Sequence, residues 1–352
     1  MASSGKIKGS KGSPSDIVER FRELGLVIFI VLVSVLVQAR NHEFLTVLNI
    51  GQLLTNTAIL GILSIGMMMV LLTGGIDLSI GATMAFSGMV TALTVRGNPS
   101  VPPALLVLEG TAIGAAAGFV IGFLIARFSI LPIIASLGLM NVIRGLTYMV
   151  SGGQWVSAYQ MSDGFKALAT GRILGVNNLI ITALVVYLIY YYFITYTRTG
   201  RRIYAVGSNP EAAEITGLPR KRIVTMVYVL MGALAGLSGV LWVAKFASAQ
   251  GDTAAGYEMN VIAACVLGGV SVSGGRGKLS GLVLGVILFG ILANALPLIN
   301  VSPFWQQAIQ GFVILAAIIT NVLIKRNNDR AALRSRAIRA AAGPGSEARS
   351  AS

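Results

Sequence analysis

The residues of this 352-residue chain most able to do chemistry are polar side chains set inside or beside long apolar runs. They are Asn56, Asn141, Arg144, Asn260 and Asn294, with Gln306, Gln307 and Gln310 further on. Amides donate and accept hydrogen bonds without changing charge. The set therefore suits reversible contact with a neutral polar solute such as a polyol better than it suits a cation. Polar groups at membrane depth mark a solute path by default. Hydrogen bonding between neighbouring helices accounts for each of them equally well. Arg144 is the demanding one, because an unpaired arginine at mid-bilayer costs about 2.5–3.5 kcal/mol on insertion scales and so calls for a partner or a pore. Carboxylates are sparse. Asp77, Asp252 and Glu258 fall near the ends of apolar runs and Glu109 alone lies well inside one, which is a poor set for a proton relay.

Other chemistries lack their parts. One cysteine, Cys265, and one histidine, His42, cannot build an intrachain disulfide, a zinc site or a histidine-based triad. No Walker A loop, HExxH or GxSxG sequence occurs. The chain holds no cofactor site of its own on this reading.

Two kinds of motif stand between the apolar runs. The segment 198–222 contains Ser208-Asn209-Pro210-Glu211-Ala212-Ala213-Glu214-Ile215-Thr216-Gly217-Leu218-Pro219. Ser208 and Glu211 have capping-box spacing, Pro210 suits a first helical turn, and Gly217 with Pro219 supplies a stop. The predicted helix has about two turns, far below the roughly 12–15 residues that stand alone in water. It must dock on something, either the membrane surface or a partner. The second kind is glycine-rich. Gly74 and Gly75 break the chain before Asp77, which is placed to cap the next helix or to serve a gate. Gly274, Gly275 and Gly277 read as a tight turn, since they lack the strand and the Lys-Ser/Thr ending of a phosphate loop.

The elements that must hold these residues are membrane spans. Charged residues make up 11% of the chain against 55% apolar, with a mean hydropathy of +0.79, where a soluble domain averages roughly 25% charged. About 20 mostly apolar residues cross the hydrocarbon core. Ten such stretches are predicted: 24–39, 47–73, 79–96, 103–126, 130–150, 178–197, 222–246, 258–273, 279–296 and 303–324. The second carries Asn56 and Thr57 near its start, so a break is expected there. The net charge of +14 sits in the tails and in alternate loops, which is topology and not a nucleic-acid footprint. With both termini cytoplasmic, the outer side keeps only Arg40, Arg96, Lys166, Arg172 and Lys245. The first run reads as a retained anchor. Gly110, Gly114, Gly118 and Gly122 recur every four residues, and Gly232 with Gly236 and Gly281 with Gly285 repeat the spacing, so helix backbones are expected to meet closely there.

Several of these stretches resemble a known family. The 198–222 loop is similar to the EAA-like coupling segment of binding-protein-dependent ABC importer permeases of the ribose/xylose/galactose type. Gly74-Gly75-Ile76-Asp77-Leu78-Ser79, Gly256-Tyr257-Glu258-Met259-Asn260-Val261-Ile262-Ala263-Ala264 and Gly268-Gly269-Val270-Ser271-Val272-Ser273-Gly274-Gly275-Arg276-Gly277 match its other motifs in order. Met259-Asn260 departs from the family, where an acidic residue is common. The resemblance implies an all-α polytopic fold of about ten helices, with a broken second helix and a short cytoplasmic coupling helix, in a bacterial inner membrane. It implies a second permease copy or paralogue, a periplasmic substrate-binding protein, and an ABC ATPase subunit that carries the ATP and magnesium. Glu211, Ala212, Ala213, Glu214, Thr216 and Gly217 would be the coupling residues. The solute would be a monosaccharide, or else a furanosyl autoinducer, nucleoside or branched-chain amino acid. A proton-coupled carrier is the reading from another class. The chain then divides into an N-terminal segment 1–23, a permease domain 24–324 and a basic tail 325–352, with the tails disordered and held near anionic lipid by their charge.

Overall fold

In the computed structural model, residues 14–302, 304–312, 315 and 319 are described, and they form an all-α bundle with one small hairpin. The elements are α1 (Pro14–Arg40), α2 (Val47–Leu72), α3 (Ile80–Gly97), α4 (Pro103–Phe128), α5 (Pro132–Ser151), α6 (Asp163–Thr170), β1 (Arg172–Ile173), β2 (Val176–Asn177), α7 (Asn178–Tyr196), α8 (Arg198–Ser208), α9 (Pro210–Ile215), α10 (Arg220–Phe246), α11 (Tyr257–Leu267) and α12 (Leu279–Leu298). Among the described residues, α1, α2, α4, α5, α7, α10 and α12 are long and apolar enough to cross a membrane. α3 is shorter and more polar, and it is buried along most of its length. A helix wrapped in protein does not need the apolarity that lipid demands. Its Ser87 hydroxyl donates to the Gly236 carbonyl at 3.1 Å and its Thr91 hydroxyl to the Ser87 carbonyl at 2.9 Å.

α10 is the centre of the bundle, packed by α4, α3 and α2. The buried positions of α4 are Leu106, Gly110, Gly114, Gly118, Ile121 and Gly122, so the glycine repeat is its inner face and the rest faces outward. A Cβ on Gly114 would collide with the Gly232 carbonyl, and one on Gly236 with the Gly110 carbonyl. This seam is the close approach expected from the spacing. Gly281 and Gly285 of α12 make a second one, against Gly268 and Ala264.

α6 and the β1–β2 hairpin form a small layer near the start of α4 and the start of α7, with Phe165 and Ala169 of α6 buried. The opposite end of the bundle carries α8, α9 and the first turn of α10. It is the basic end, with Arg198, Arg201, Arg202, Arg220, Lys221 and Arg222.

Three expectations change. The break near Asn56 is absent, for α2 runs unbroken from Val47 to Leu72. Thr57 returns its hydroxyl to the Leu53 carbonyl at 2.7 Å, so its polar group is satisfied without opening the helix. The break lies in the eighth predicted span instead. There α11 has 11 residues, about 16 Å at 1.5 Å per residue, half of a roughly 30 Å core. The chain enters it through an irregular segment, 247–256, in which Ala249, Gly251 and Thr253 are buried. Third, 198–208 is a helix and not loop, with Gly200, Ile203, Val206 and Gly207 buried. Of the last predicted span, 303–324, residues 304–312 are helical, and of the N-terminal segment 1–23, residues 14–23 belong to α1; residues 1–13 and the tail 325–352 lie outside the described residues.

Candidate functional site

Three of the in-span amides meet. Asn56 of α2, Asn260 of α11 and Asn294 of α12 line one cavity of about 350 Å³. The half-helix makes this possible. Gly256 is left-handed at φ +78° and starts α11, which puts Tyr257 and Asn260, three residues apart, into the same wall. Gly290 lets α12 come in, because a Cβ there would collide with the Thr57 hydroxyl. Trp242, Lys245 and Phe246 from the last turns of α10, together with Tyr257, Phe289 and Gln310, complete the cavity.

Its chemistry is aromatic faces edged with hydrogen-bonding groups. The Trp242 ring stands edge-on to Tyr257 at 5.1 Å and 4.9 Å from Phe246. The Lys245 ammonium donates to Asn56 Oδ1 at 2.8 Å and lies 5.1 Å from the Phe246 ring centre. Asn294 exchanges two hydrogen bonds with Asn49, at 3.0 and 3.1 Å. A small ring bearing hydroxyls could be held between these rings and amides. Lys245 sits beside three aromatic residues in this wall, a role that counting it as a topological charge overlooks. The signal available was the i, i+3, i+4 spacing of Trp242, Lys245 and Phe246 at the end of one helix.

The other two path candidates stand apart. Asn141 is exposed on α5 and donates to the Leu137 carbonyl at 3.0 Å. Arg144 has its partners: its guanidinium donates to the Gly251 and Thr253 carbonyls at 2.8 and 3.0 Å, pinning the irregular segment that leads into α11.

At the basic end, the glycine turns and the coupling-type segment come together. Gly275 donates its N–H to the Leu72 carbonyl at 2.9 Å. Gly207 of α8 presses on that same carbonyl so closely that a Cβ would collide with it. A Cβ on Gly274 would sit 2.7 Å from the Gly207 carbonyl and 3.1 Å from the Gly74 nitrogen. Tyr204 of α8 donates to the Gly277 carbonyl at 2.9 Å. Gly75 lies under the Tyr228 hydroxyl, which donates to the Ile76 carbonyl at 3.3 Å. Asp77 is buried and accepts from both the N–H and the hydroxyl of Ser79, at 2.8 and 2.7 Å. It shapes the turn into α3 from two residues before the helix cap. The turns after α2 and α11 and the second half of α8 thus form one junction.

α9 projects from that junction. Its cap is Asn209, whose side chain accepts from the Ala212 N–H at 3.0 Å; Ser208 belongs to α8, so the Ser208–Glu211 box does not form. Pro210 opens the helix, and Gly217 at φ +77° ends it as the sequence predicts. Ala213 is buried, while Glu211, Ala212, Glu214, Thr216 and Gly217 are exposed and Ile215 is 86% exposed. Glu214 pairs with Arg220 at 3.0 Å.

A polytopic helical bundle with a half-helix at a solute-sized cavity, and a short helix left standing off one end, is the make-up of a transport permease. Residues 49–318 match the family described as "Branched-chain amino acid transport system / permease component", and the chain belongs to that family. Among curated proteins it is 41% identical over 297 residues to the "Ribose import permease protein RbsC" of Bacillus subtilis (strain 168), covering 84% of this chain and 90% of that protein. It is 36% identical over 307 residues to the protein of the same name from Escherichia coli (strain K12), covering 87% and 94%. It is also 36% identical over 306 residues to the "L-arabinose ABC transporter permease protein AraH" of Azospirillum brasilense, covering 87% and 88%. No solved structure matches the chain significantly.

Proposed function

We propose that this chain is the membrane permease of an ATP-driven ABC importer that moves a monosaccharide, with pentoses of the ribose and L-arabinose kind the first solutes to test. The observation that carries this reading is the cavity where Asn56, Asn260 and Asn294 meet Trp242, Tyr257 and Phe246. Aromatic faces suit the C–H face of a sugar ring, and amides suit its hydroxyls. The names of the relatives point to the same solutes. Asn56 is exposed on the surface of the single chain. A polar group open to lipid is costly, so a second permease copy or a related chain completes the wall and the solute crosses between them.

The basic end is the cytoplasmic face of a bacterial inner membrane in this reading, with both termini on that side. The ATP and magnesium belong to a separate ATPase that receives α9. A six-residue helix with Ile215 bare is suited to such a seat. A periplasmic binding protein delivers the solute at the opposite end.

The test is uptake of radiolabelled D-ribose and L-arabinose into proteoliposomes that contain the permease, its ATPase and its binding protein. Asn56→Leu and Asn260→Leu should each lower flux about ten-fold, roughly the loss of one good hydrogen bond, with binding-protein docking unchanged. Full flux in both variants would move the path elsewhere. Uptake that survives ATP depletion while a proton gradient persists would overturn the ATP-driven class.

A further inference from the structure

A second cavity, of about 450 Å³, opens at the basic end, with Glu214 of α9 in its lining. It joins three pieces of chain: the Thr73–Gly75 turn after α2, the Ser129–Pro132 connection between α4 and α5, and the first turns of α10. Ile125, Ile130 and Val224 give it an apolar wall, and Arg220 and Lys221 stand at its rim. Glu214 is the one carboxylate in the lining, and it is already bonded to Arg220 at 3.0 Å. Lys221 forms no ion pair among the described residues. Arg222 and Arg127 are exposed close by in the chain and extend the positive surface.

Two further features describe what would fill this space. Phe128 and Leu131, 62% and 66% exposed, carry the apolar wall outward onto the faces that α4 and α5 present away from the bundle. An occupant can therefore be anionic at one end and apolar at the other. In addition, the Arg220-Lys221-Arg222 run sits in the first turn of α10, where the helix has no acidic residue. Cations at that end of a helix oppose its dipole, and a bound anion relieves both. A soluble anion would make no use of the apolar wall or of its continuity with the outer surface.

We propose that this cavity seats the phosphate of an anionic phospholipid, with Lys221 and Arg220 holding the headgroup and the acyl chains lying over Leu131 and Phe128. Basic pockets at the membrane–water boundary recognise lipid headgroups by this combination. The lipid also bears on α9, because Glu214 and the phosphate compete for Arg220. An occupied cavity loosens the tether between α9 and α10, and an empty one tightens it. The inference rests on the membrane reading alone and holds whatever solute is carried.

Native mass spectrometry of the full-length permease, delipidated in detergent and titrated with single lipids, tests it. Phosphatidylglycerol should be retained in preference to phosphatidylcholine. Lys221→Gln should weaken that retention about five-fold, the share of one basic residue at an anionic surface, while Arg201→Gln on α8 leaves it unchanged. Glu214→Gln should strengthen it, since the competing carboxylate is gone. Equal retention of both lipids, or equal retention by Lys221→Gln and the wild type, would overturn the proposal. So would competition by sn-glycerol 3-phosphate at the same concentration as the lipid, which would make this a site for a soluble anion. Displacement of phosphatidylglycerol on assembly with the ATPase would make it a protein seat and overturn it too.

Discussion

α4 meets α10 across Gly110, Gly114, Gly118 and Gly122, and α11 meets α12 across Gly268, Gly281 and Gly285. Both seams use glycine for room, but they sit in different company. The first joins two helices of 26 and 27 residues that run the depth of the bundle. The second has on one side a helix of 11 residues, entered at Gly256 with φ +78° and followed by Gly269 with φ +81°. One seam is continued by long rigid neighbours, and the other is bounded by two left-handed turns. The same small residue thus serves two physical needs. Gly114 has an ordinary helical backbone and no space, while Gly256 has open space and a backbone that L-residues resist.

Substitutions can separate the two. Gly114→Val should have the largest effect, since its side chain would displace the α10 backbone at Gly232 and Gly236. A loss of roughly 3 kcal/mol or more is expected, read as failure to recover a monodisperse protein from membranes. Gly285→Ala meets the Ala264 carbonyl and the Gly268 backbone. Because α11 is short it can yield, so a loss of about 1–2 kcal/mol should leave the protein assembled but slow in proteoliposome uptake. Gly256→Ala is the mildest, a pure dihedral cost of about 1–2 kcal/mol, lessened by whatever the loop gives up. Its melting temperature should fall by less than that of Gly285→Ala. If Gly256→Ala proved as damaging as Gly114→Val, the distinction between room and dihedral would be lost.

Much of this frame was legible in the sequence. The four-residue glycine repeat pointed to the seam, and Pro103 and Pro132 stand at the starts of α4 and α5. What misled was apolarity itself. The run 258–273 is apolar because protein surrounds it, and hydropathy cannot tell protein from lipid. The 198–208 stretch reads as loop because its arginines and glycines mask a helical spacing of the positions that become buried, Gly200, Ile203, Val206 and Gly207. It is a helix because Gly207 fits beneath the Leu72 carbonyl and Tyr204 reaches Gly277. At the cavity, polarity within a span picked out Asn56, Asn260 and Asn294, but the same criterion picked out Arg144, which holds two carbonyls of the 247–256 segment. Type alone cannot separate a residue that lines a cavity from one engaged by the backbone.

The α4–α10 seam has a consequence for heredity as well as for packing. Every glycine codon begins with two guanines, and each single-base change that alters the residue installs alanine, valine, serine, cysteine, arginine, aspartate, glutamate or tryptophan. All of them bring a Cβ, and at Gly114, Gly232 and Gly236 a Cβ meets backbone on the facing helix. These positions therefore have no sterically silent neighbour one mutation away. Elsewhere on α4 the outward residues can drift among apolar types, so the helix should carry a frozen column of residues on one side and a fluid one on the other.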